Sequence, residues 1–574
     1  MKKFFPFFFL FFIIPLLPYA QFDNNWEQKV DPNVLKKGKS DKNTEFIIVM
    51  KEQADLSGAN SLKTKEEKGL FVYKTLVEIA TRTQKEVIQI LRNKNALFQS
   101  YWVANVIWVN GDISIIQEIA PLSAVKEIIE NASYTFPKPI EEDESNMESR
   151  TIEWGITKTQ ADKVWAMGYT GQGVVVGGDD TGYDWSHPAI KKKYRGWNGT
   201  SADHNYNWHD AVKSGNGGDC GINSLEPCDD YGHGTHTMGT MIGDDEVSNQ
   251  IGMAPGASWI GCRNMDVGNG SFTMYVECFQ FFLAPTDLTN SNANPLKSPH
   301  VINNSWGCVE SEGCNSSNYA AMETVIKNLN TAGIVVVSSA GNSGPNCSTI
   351  DTPPSIFANS FVVGSTTNSD DISSFSSRGP VTIYSCDEVK PDVTAPGTGI
   401  RSSYKDGTYS TMSGTSMAGP HVAGLVALII SANPELAGQV DSIENIIRKT
   451  ATPLTSTENC GSISGSLIPN YTFGHGRIDA LAAVNMAVSI KETEKQEIPV
   501  QIYPNPCSDY ISVELQNKQA NAFLHIYNNM GQLVLESKID TFKKINISAL
   551  SEGVFFYVIE TETIHFNGKL IKIK

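Results

Sequence analysis

Three short stretches of this 574-residue chain place a carboxylate, an imidazole and a hydroxyl where acyl-transfer chemistry could use them. The apolar run 174–178 leads into Asp179-Asp180-Thr181-Gly182, which puts a carboxylate where the chain leaves a strand. The stretch Asp229-Asp230-Tyr231-Gly232-His233-Gly234-Thr235-His236 opens a segment of helical character, with His233 near the helix start. Gly414-Thr415-Ser416-Met417-Ala418 precedes the long apolar run 422–432 and puts Ser416 at a helix N-terminus. A serine attacks only with a base beside it to take its proton, and the base needs a carboxylate to orient it. Asp180, His233 and Ser416 make one complete set of these three types.

A fold must hold them together across more than 200 residues. Short apolar runs at 174–178, 259–265, 300–306, 334–340 and 361–365 read as buried strands, and 272–283 and 319–329 read as helices between them. Such alternation predicts an α/β unit, a doubly wound and mainly parallel sheet covered on both faces. In that architecture the ligand crevice lies beyond the carboxyl ends of the strands, so the chemistry belongs there.

With these motifs in order, the chain resembles the subtilases, the subtilisin-type serine endopeptidases. The matching stretches are Asp180-Thr181-Gly182, His233-Gly234-Thr235-His236 and Gly414-Thr415-Ser416-Met417-Ala418. The order Asp, His, Ser is that of subtilisin itself, so it is identified by the likeness and not deduced. The resemblance makes Ser416 the nucleophile, His233 the general base and then acid, and Asp180 the orienting carboxylate. It also covers the run 334–344, which ends in Ala340-Gly341-Asn342-Ser343-Gly344 and implies that the Asn342 amide joins the Ser416 backbone N–H in an oxyanion hole. The stretches 299–308 and Phe375-Ser376-Ser377-Arg378-Gly379-Pro380 are similar to the bacillopeptidase F-like branch of the family. By the same likeness Ser305, Trp306 and Gly307 line the primary specificity pocket, although a buried core aromatic is an equal reading of Trp306.

One residue departs from the family pattern. Subtilases carry an apolar residue just before the catalytic Asp, and this chain has Asp179. Neighbouring carboxylates raise each other's pKa, so Asp179 is expected either to face solvent or to have its own cation. Three further features receive plain readings. His236 lacks the H-E-x-x-H context of a zinc site and reads as a buried helix residue, and His421 reads as structural. The chemistry needs no cofactor. The resemblance allows structural calcium, and the loop 219–230 is acidic enough for it, but such loops are more often simply solvated and no metal ligand is assigned.

Residues 1–20 open with Lys2-Lys3 and continue as an apolar run to Ala20, the pattern of a cleavable signal peptide. A membrane anchor is the weaker reading, because Pro6, Pro15 and Pro18 interrupt a run already short for a span, and no later stretch is expected to cross a bilayer. Of ten cysteines, nine lie between Cys220 and Cys460 and the tenth is Cys507, which suggests disulfides within one exported domain. Cys220 with Cys228 and Cys308 with Cys314 are the expected pairs, and an odd count in the cluster leaves one thiol over. The net charge of −17, from 45 basic and 62 acidic residues, argues against nucleic-acid binding.

The flanks complete the organisation. Residues 21–150 read as a small α+β unit, with strands at 45–50 and 102–109, a helix over about 70–99 and an acidic linker at 141–144. This unit resembles a subtilase inhibitor pro-segment, which implies a zymogen that cuts itself between about Tyr134 and Glu153. Residues 151–490 form the expected catalytic domain. Residues 497–574 show strand alternation between polar turns and read as a small antiparallel β domain. It resembles the C-terminal sorting domain of type IX secretion through Ile502-Tyr503-Pro504-Asn505-Pro506, Asn528-Asn529-Met530-Gly531 and Gly568-Lys569-Leu570-Ile571. The resemblance implies export by a Bacteroidetes-type bacterium, to the medium or the cell surface, with the secretion machinery, protein substrates and the pro-segment itself as partners. Two other readings compete with a secreted endopeptidase: a surface binding protein on a dead protease fold, and an exopeptidase with the same three residues.

Overall fold

A computed structural model describes residues 26–40, 43–131, 133–135, 140–141, 152–307, 316–495, 500–515, 522–560 and 565–574. The expected leader, residues 136–139, most of the acidic linker and the suggested Cys308–Cys314 pair lie outside the described residues. The chain divides into two units, Met1–Met486 and Ala487–Lys574.

In the first unit seven strands form an all-parallel sheet. Their spatial order is Val393–Pro396, Phe361–Thr366, Val335–Ser339, Val301–Asn304, Val175–Asp180, Ser258–Arg263 and Trp208–Asp210. Val335–Ser339 and Phe361–Thr366 are buried throughout, which is why they read as unbroken apolar runs and not as alternation. The chain winds first to one side of Val175–Asp180 and then returns to build outward from Val301–Asn304. The strand order therefore reverses between these two neighbours, and a crevice opens at their carboxyl ends. Asn304 lies opposite Asp179 in register, so the chain segments that follow both strands emerge at that crevice.

Helix Thr415–Ala432 packs against the sheet and is buried along nearly its whole length. By length and composition it could cross a bilayer, which corrects the expectation that no stretch after the leader could. Its apolar window is 94% buried inside the protein, so the same apolarity serves the core.

The N-terminal residues build a four-stranded antiparallel sheet in the order Leu97–Tyr101, Val106–Gly111, Thr44–Met50 and Val125–Glu130. The single helix expected over 70–99 is two, Lys65–Thr83 and Lys85–Asn93, followed by a strand. Thr64 and Glu67 close a capping box at the start of the first. Gln84, which separates the two helices, donates from its side chain to Asn105 and accepts from Ser100. Val72, Leu76, Val87 and Leu91 are buried on both sides of the break, so the apolar period runs through it. The strand expected from 102 begins at Val106, after a turn.

This small sheet docks on the larger one through a shared core in which Val72, Leu76 and Tyr101 meet Phe272, Tyr275 and Tyr319. Polar contacts pin the junction: Tyr101 donates to Glu277 at 3.0 Å, and Asn328 donates to the Val103 carbonyl at 2.7 Å. Lys65, buried, donates to the Ser298 hydroxyl at 2.6 Å and its carbonyl at 3.0 Å. Two further strands continue from the small unit. Ser133–Thr135 pairs antiparallel with Asn269–Ser271, and Ile140–Glu141 pairs antiparallel with Met412 and Ser413.

Cys220–Cys228 forms as expected, and Cys262–Cys278 and Cys347–Cys460 are added to it. Among the described residues Cys386 and Cys507 are free thiols. The second unit is built from two antiparallel sheets, one of Val500–Tyr503, Tyr510–Leu515 and Phe542–Asn546, the other of Leu533–Ile539, Ala522–Tyr527, Gly553–Glu560 and His565–Lys572. Ile511, Val513, Leu524 and Ile526 fill its core.

Candidate active site

Asp180 ends the Val175–Asp180 strand, at the reversal of strand order. Its Oδ1 meets His233 Nδ1 at 2.7 Å and accepts the Thr181 N–H at 2.7 Å, while Thr237 donates to its Oδ2 at 3.3 Å. Both members of the pair are buried, His233 at 0% and Asp180 at 1% exposure. A carboxylate on Nδ1 leaves Nε2 as the ring nitrogen that works on a substrate.

His233 begins helix His233–Ile242, and the residues before it hold that start in place. Asp229 accepts the N–H groups of Gly232 at 2.7 Å and Thr235 at 2.9 Å, together with the Thr235 hydroxyl at 2.6 Å. Thr181 donates to Asp229 at 2.9 Å and accepts the Gly234 N–H at 3.0 Å, which ties the two motifs directly together. Burial pushes the Asp229 carboxyl up despite these donors. The turn after Asp180 needs glycine: Gly182 has φ +113°, and a Cβ there would lie 1.8 Å from the Cys228 carbonyl. Upstream, Asp230 and Asp210 flank the buried Arg263, whose guanidinium donates to the Gly221 carbonyl at 2.7 Å. The acidic loop 219–230 is thus met by a cation of the protein's own. Among the described residues the one His/Cys/carboxylate group close enough to share an ion is Cys347, Glu458 and Cys460, and its two sulfurs are joined to each other.

Ser416 is the second residue of helix Thr415–Ala432 and is 4% exposed. Its Oγ donates to the Ser305 carbonyl at 3.2 Å, and Ser305 Oγ donates back to the Ser416 carbonyl at 3.0 Å. That second bond follows from Pro420, which has no N–H to give the carbonyl four residues before it. Ser305 fills the vacancy and locks the nucleophile's turn to the segment after Val301–Asn304.

Asn342 lies exposed just beyond the Val335–Ser339 strand. Its Oδ1 accepts from Thr415 N at 2.9 Å and Thr415 Oγ1 at 3.0 Å. With the oxygen so engaged, the amide NH2 is turned toward the Gly414–Ser416 turn, where a Cβ on Gly414 would lie 3.5 Å from Nδ2. Ser305 is buried, Gly307 is half-buried, and Trp306 is 3% exposed, its ring stacked on Tyr275 with centroids 3.5 Å apart. Trp306 thus lies beneath the segment.

His236 is buried, with Nε2 between the Ile400 and Ser410 carbonyls, and burial holds its pKa down to about 3. His421 is buried, with Nδ1 on the Met417 carbonyl and a pKa held down to about 4. Asp179 corrects the expectation made for it. It does not face solvent, and among the described residues it meets no cation: it is 0% exposed, and burial and then the Asp180 charge push its carboxyl well above the usual range. The Trp306 indole and the Asn264 amide face it and act in the opposite sense. Sequence reasoning missed Thr181, Asp229 and the Ser305 hydroxyl, whose only signal was their adjacency to the motifs.

Comparison with known proteins agrees with this geometry. Residues 171–476, more than half of the chain, match the subtilase family, and residues 501–574 match the secretion system C-terminal sorting domain. Bacillopeptidase F of Bacillus subtilis (strain 168) is 32% identical over 491 residues, covering 80% of this chain, which spans only 32% of that protein's length. Subtilisin DY of Bacillus licheniformis is 32% identical over 309 residues, 53% of this chain and 93% of its own. Subtilisin E of Bacillus subtilis (strain 168) is 28% identical over 365 residues, 63% of this chain and 78% of its own. The sorting domain marks a protein that a Bacteroidetes-type bacterium secretes or displays on its surface. The parallel sheet, the buried His233–Asp180 pair and the matched span lead to one conclusion: the chain belongs to the subtilase family.

Proposed function

We propose that this chain is a secreted serine endopeptidase, made as a zymogen, that hydrolyses peptide bonds of proteins through an acyl-enzyme. The observation that carries the reading is the buried 2.7 Å contact of His233 with Asp180 at the strand-order reversal, where the Ser416 turn also lies. Ser416 Oγ attacks the scissile carbonyl as His233 Nε2 takes its proton. Asp180 holds the imidazole and stabilises the imidazolium. The Asn342 amide and the Ser416 N–H donate to the oxyanion. His233 then returns its proton to the leaving amine, and water repeats the sequence to release the acid.

The pairing of both Ser133–Thr135 and Ile140–Glu141 with the larger unit supports the zymogen reading and narrows its cut. The second pairing is with Met412 and Ser413, only three residues short of Ser416. The cut is thus expected between these two paired strands. Self-cleavage is expected between Thr135 and Ile140, and N-terminal sequencing of the mature enzyme checks it. A mature N-terminus upstream of Tyr134 would contradict self-processing at this site. Pairing of the chain on both sides of a cut also favours internal bonds. Incubation with a long peptide blocked at both ends is expected to give internal fragments; no cleavage of the blocked peptide, with trimming of its free counterpart, would mean an exopeptidase.

Lys65 makes release of the cut pro-segment pH-dependent. Burial against Ser298 holds its pKa down to about 8, from an ordinary 10.5. Between these values the docked amine is neutral and the free one charged, so docking releases a proton and affinity rises with pH, roughly tenfold per unit. Below pH 8 both forms are charged and affinity rests at its minimum. Inhibition of the mature enzyme by residues 21–135 added in trans is expected to tighten from pH 8 to pH 10, and Lys65→Met is expected to flatten that slope.

A further inference from the structure

Asp179 is the residue of this centre that the proposed mechanism does not use. Its two carboxylate oxygens are buried without a hydrogen bond, and so are the Trp306 indole nitrogen and both side-chain polar atoms of Asn264. The indole and the amide are the side chains that face the carboxyl. An indole N–H only donates, an amide both donates and accepts, and an ionised carboxylate only accepts. With the carboxyl protonated, the indole N–H has its carbonyl oxygen to donate to and its O–H has the Asn264 oxygen, so both Asp179 oxygens gain a partner with no buried charge.

The surroundings point the same way. The charge facing Asp179 is that of Asp180 on its own strand, which disfavours a second one, while the buried Tyr183 in the following turn is pushed well up and stays neutral. The cation on the neighbouring strand, Arg263, is flanked by Asp210 and Asp230. A carboxylate buried without a cation takes up a proton in preference to staying charged.

Trp306 links this cluster to the reaction. It follows Ser305, whose carbonyl accepts from Ser416, and it stacks on Tyr275 of helix Phe272–Leu283. That helix begins directly after Asn269–Ser271, the strand with which Ser133–Thr135 pairs. Trp306 is therefore packed between the Ser305–Gly307 segment and the helix that follows Asn269–Ser271. We propose that Asp179 is a positioning residue: its protonated carboxyl, faced by the Trp306 indole and the Asn264 amide, holds Trp306 and so fixes Ser305–Gly307 beside the nucleophile. The kinetic part of this proposal rests on the reading of Ser416 above; its protonation part does not.

The first test uses the full chain with Ser416→Ala, with and without Asp179→Asn, unfolded by heat from pH 5 to pH 9. An Asp that is protonated when folded and ionised when unfolded releases a proton on unfolding. The parent therefore loses about tenfold in its folding equilibrium per pH unit relative to the Asn variant, and its Tm falls behind progressively. A difference that is flat in pH, or one in which the parent gains with pH, overturns the proposal whatever Ser416 does. The second test is kinetic, on enzyme matured from the active chain. Asp179→Asn keeps the donor and acceptor pattern and is expected to stay within about threefold of the parent in kcat and KM. Asp179→Leu is expected to raise KM about tenfold with kcat little changed, and to add less than twofold on top of Trp306→Phe. Effects of Leu and Phe that multiply would show that Asp179 does not act through Trp306. If the Leu chain does not fold, the pH comparison with Asn decides alone.

Discussion

Ser416→Ala is expected to stop hydrolysis and to leave the chain at its full exported length. The loss should be roughly 10⁶-fold in kcat, the scale seen when subtilisin loses its serine or its histidine. His233→Ala should cost about the same, and the double variant should be no worse than either, because the two side chains act as one unit. Residual turnover would come from the oxyanion donors and substrate binding alone. Folding should survive the serine change, since Ser416 Oγ makes one bond, to the Ser305 carbonyl, and the reciprocal bond uses the Ser416 backbone. Gel mobility of the secreted product, with turnover of an unrelated peptide, reads both effects. A Ser416→Ala chain that still loses residues 21–135 when expressed alone would show that another protease does the processing.

Asn342→Leu is the second large effect, expected to lower kcat about 10²- to 10³-fold with KM nearly unchanged. The split follows from geometry. The amide oxygen is committed to Thr415, so the NH2 group is aimed before any substrate arrives and acts mainly on the charge that develops in the transition state. The change also removes an acceptor from the first turn of the nucleophile helix, so thermal unfolding must be measured beside the kinetics. A rise in KM matching the fall in kcat/KM, at full kcat, would assign Asn342 to substrate binding.

Much of the sheet was legible because its strands are buried on both faces. The runs around 301–304, 335–339 and 361–366 have no polar alternation to disguise them, and helix Phe272–Leu283 was bounded correctly, with Ser271 before it and Pro285 soon after. The N-terminal helix pair was not, since Gln84 is no breaker by type. The chain turns there because Asn105 and Ser100, both distant in sequence, engage its side chain. In the C-terminal unit, Val500–Tyr503, Phe542–Asn546 and His565–Lys572 escaped notice, and Phe542–Asn546 shows why: it is largely exposed and carries Lys543 and Lys544. The apolar helix Thr415–Ala432 was discounted as a span and is core, and only its packing settles that.

At the centre, motif spacing showed which residues could meet, but not what fixes them. Nothing local tells that Thr181 and Asp229 join the Asp and His motifs, or that Ser305 takes the acceptor freed by Pro420. Asp179 was expected either to face solvent or to have its own cation. In a sheet covered on both faces either side of a strand is interior, so Asp179 is buried as Asp180 is.

The account turns on one nucleophile, and a fluorophosphonate probe asks for it directly. The full chain should be secreted from a type IX-competent host, allowed to mature, labelled and digested, and the adduct located by mass spectrometry. A single adduct on Ser416, absent from the Ser416→Ala and His233→Ala proteins, is the predicted result. Folded wild-type enzyme that takes no label, or label that persists on another residue in Ser416→Ala, would contradict the assignment of Asp180, His233 and Ser416.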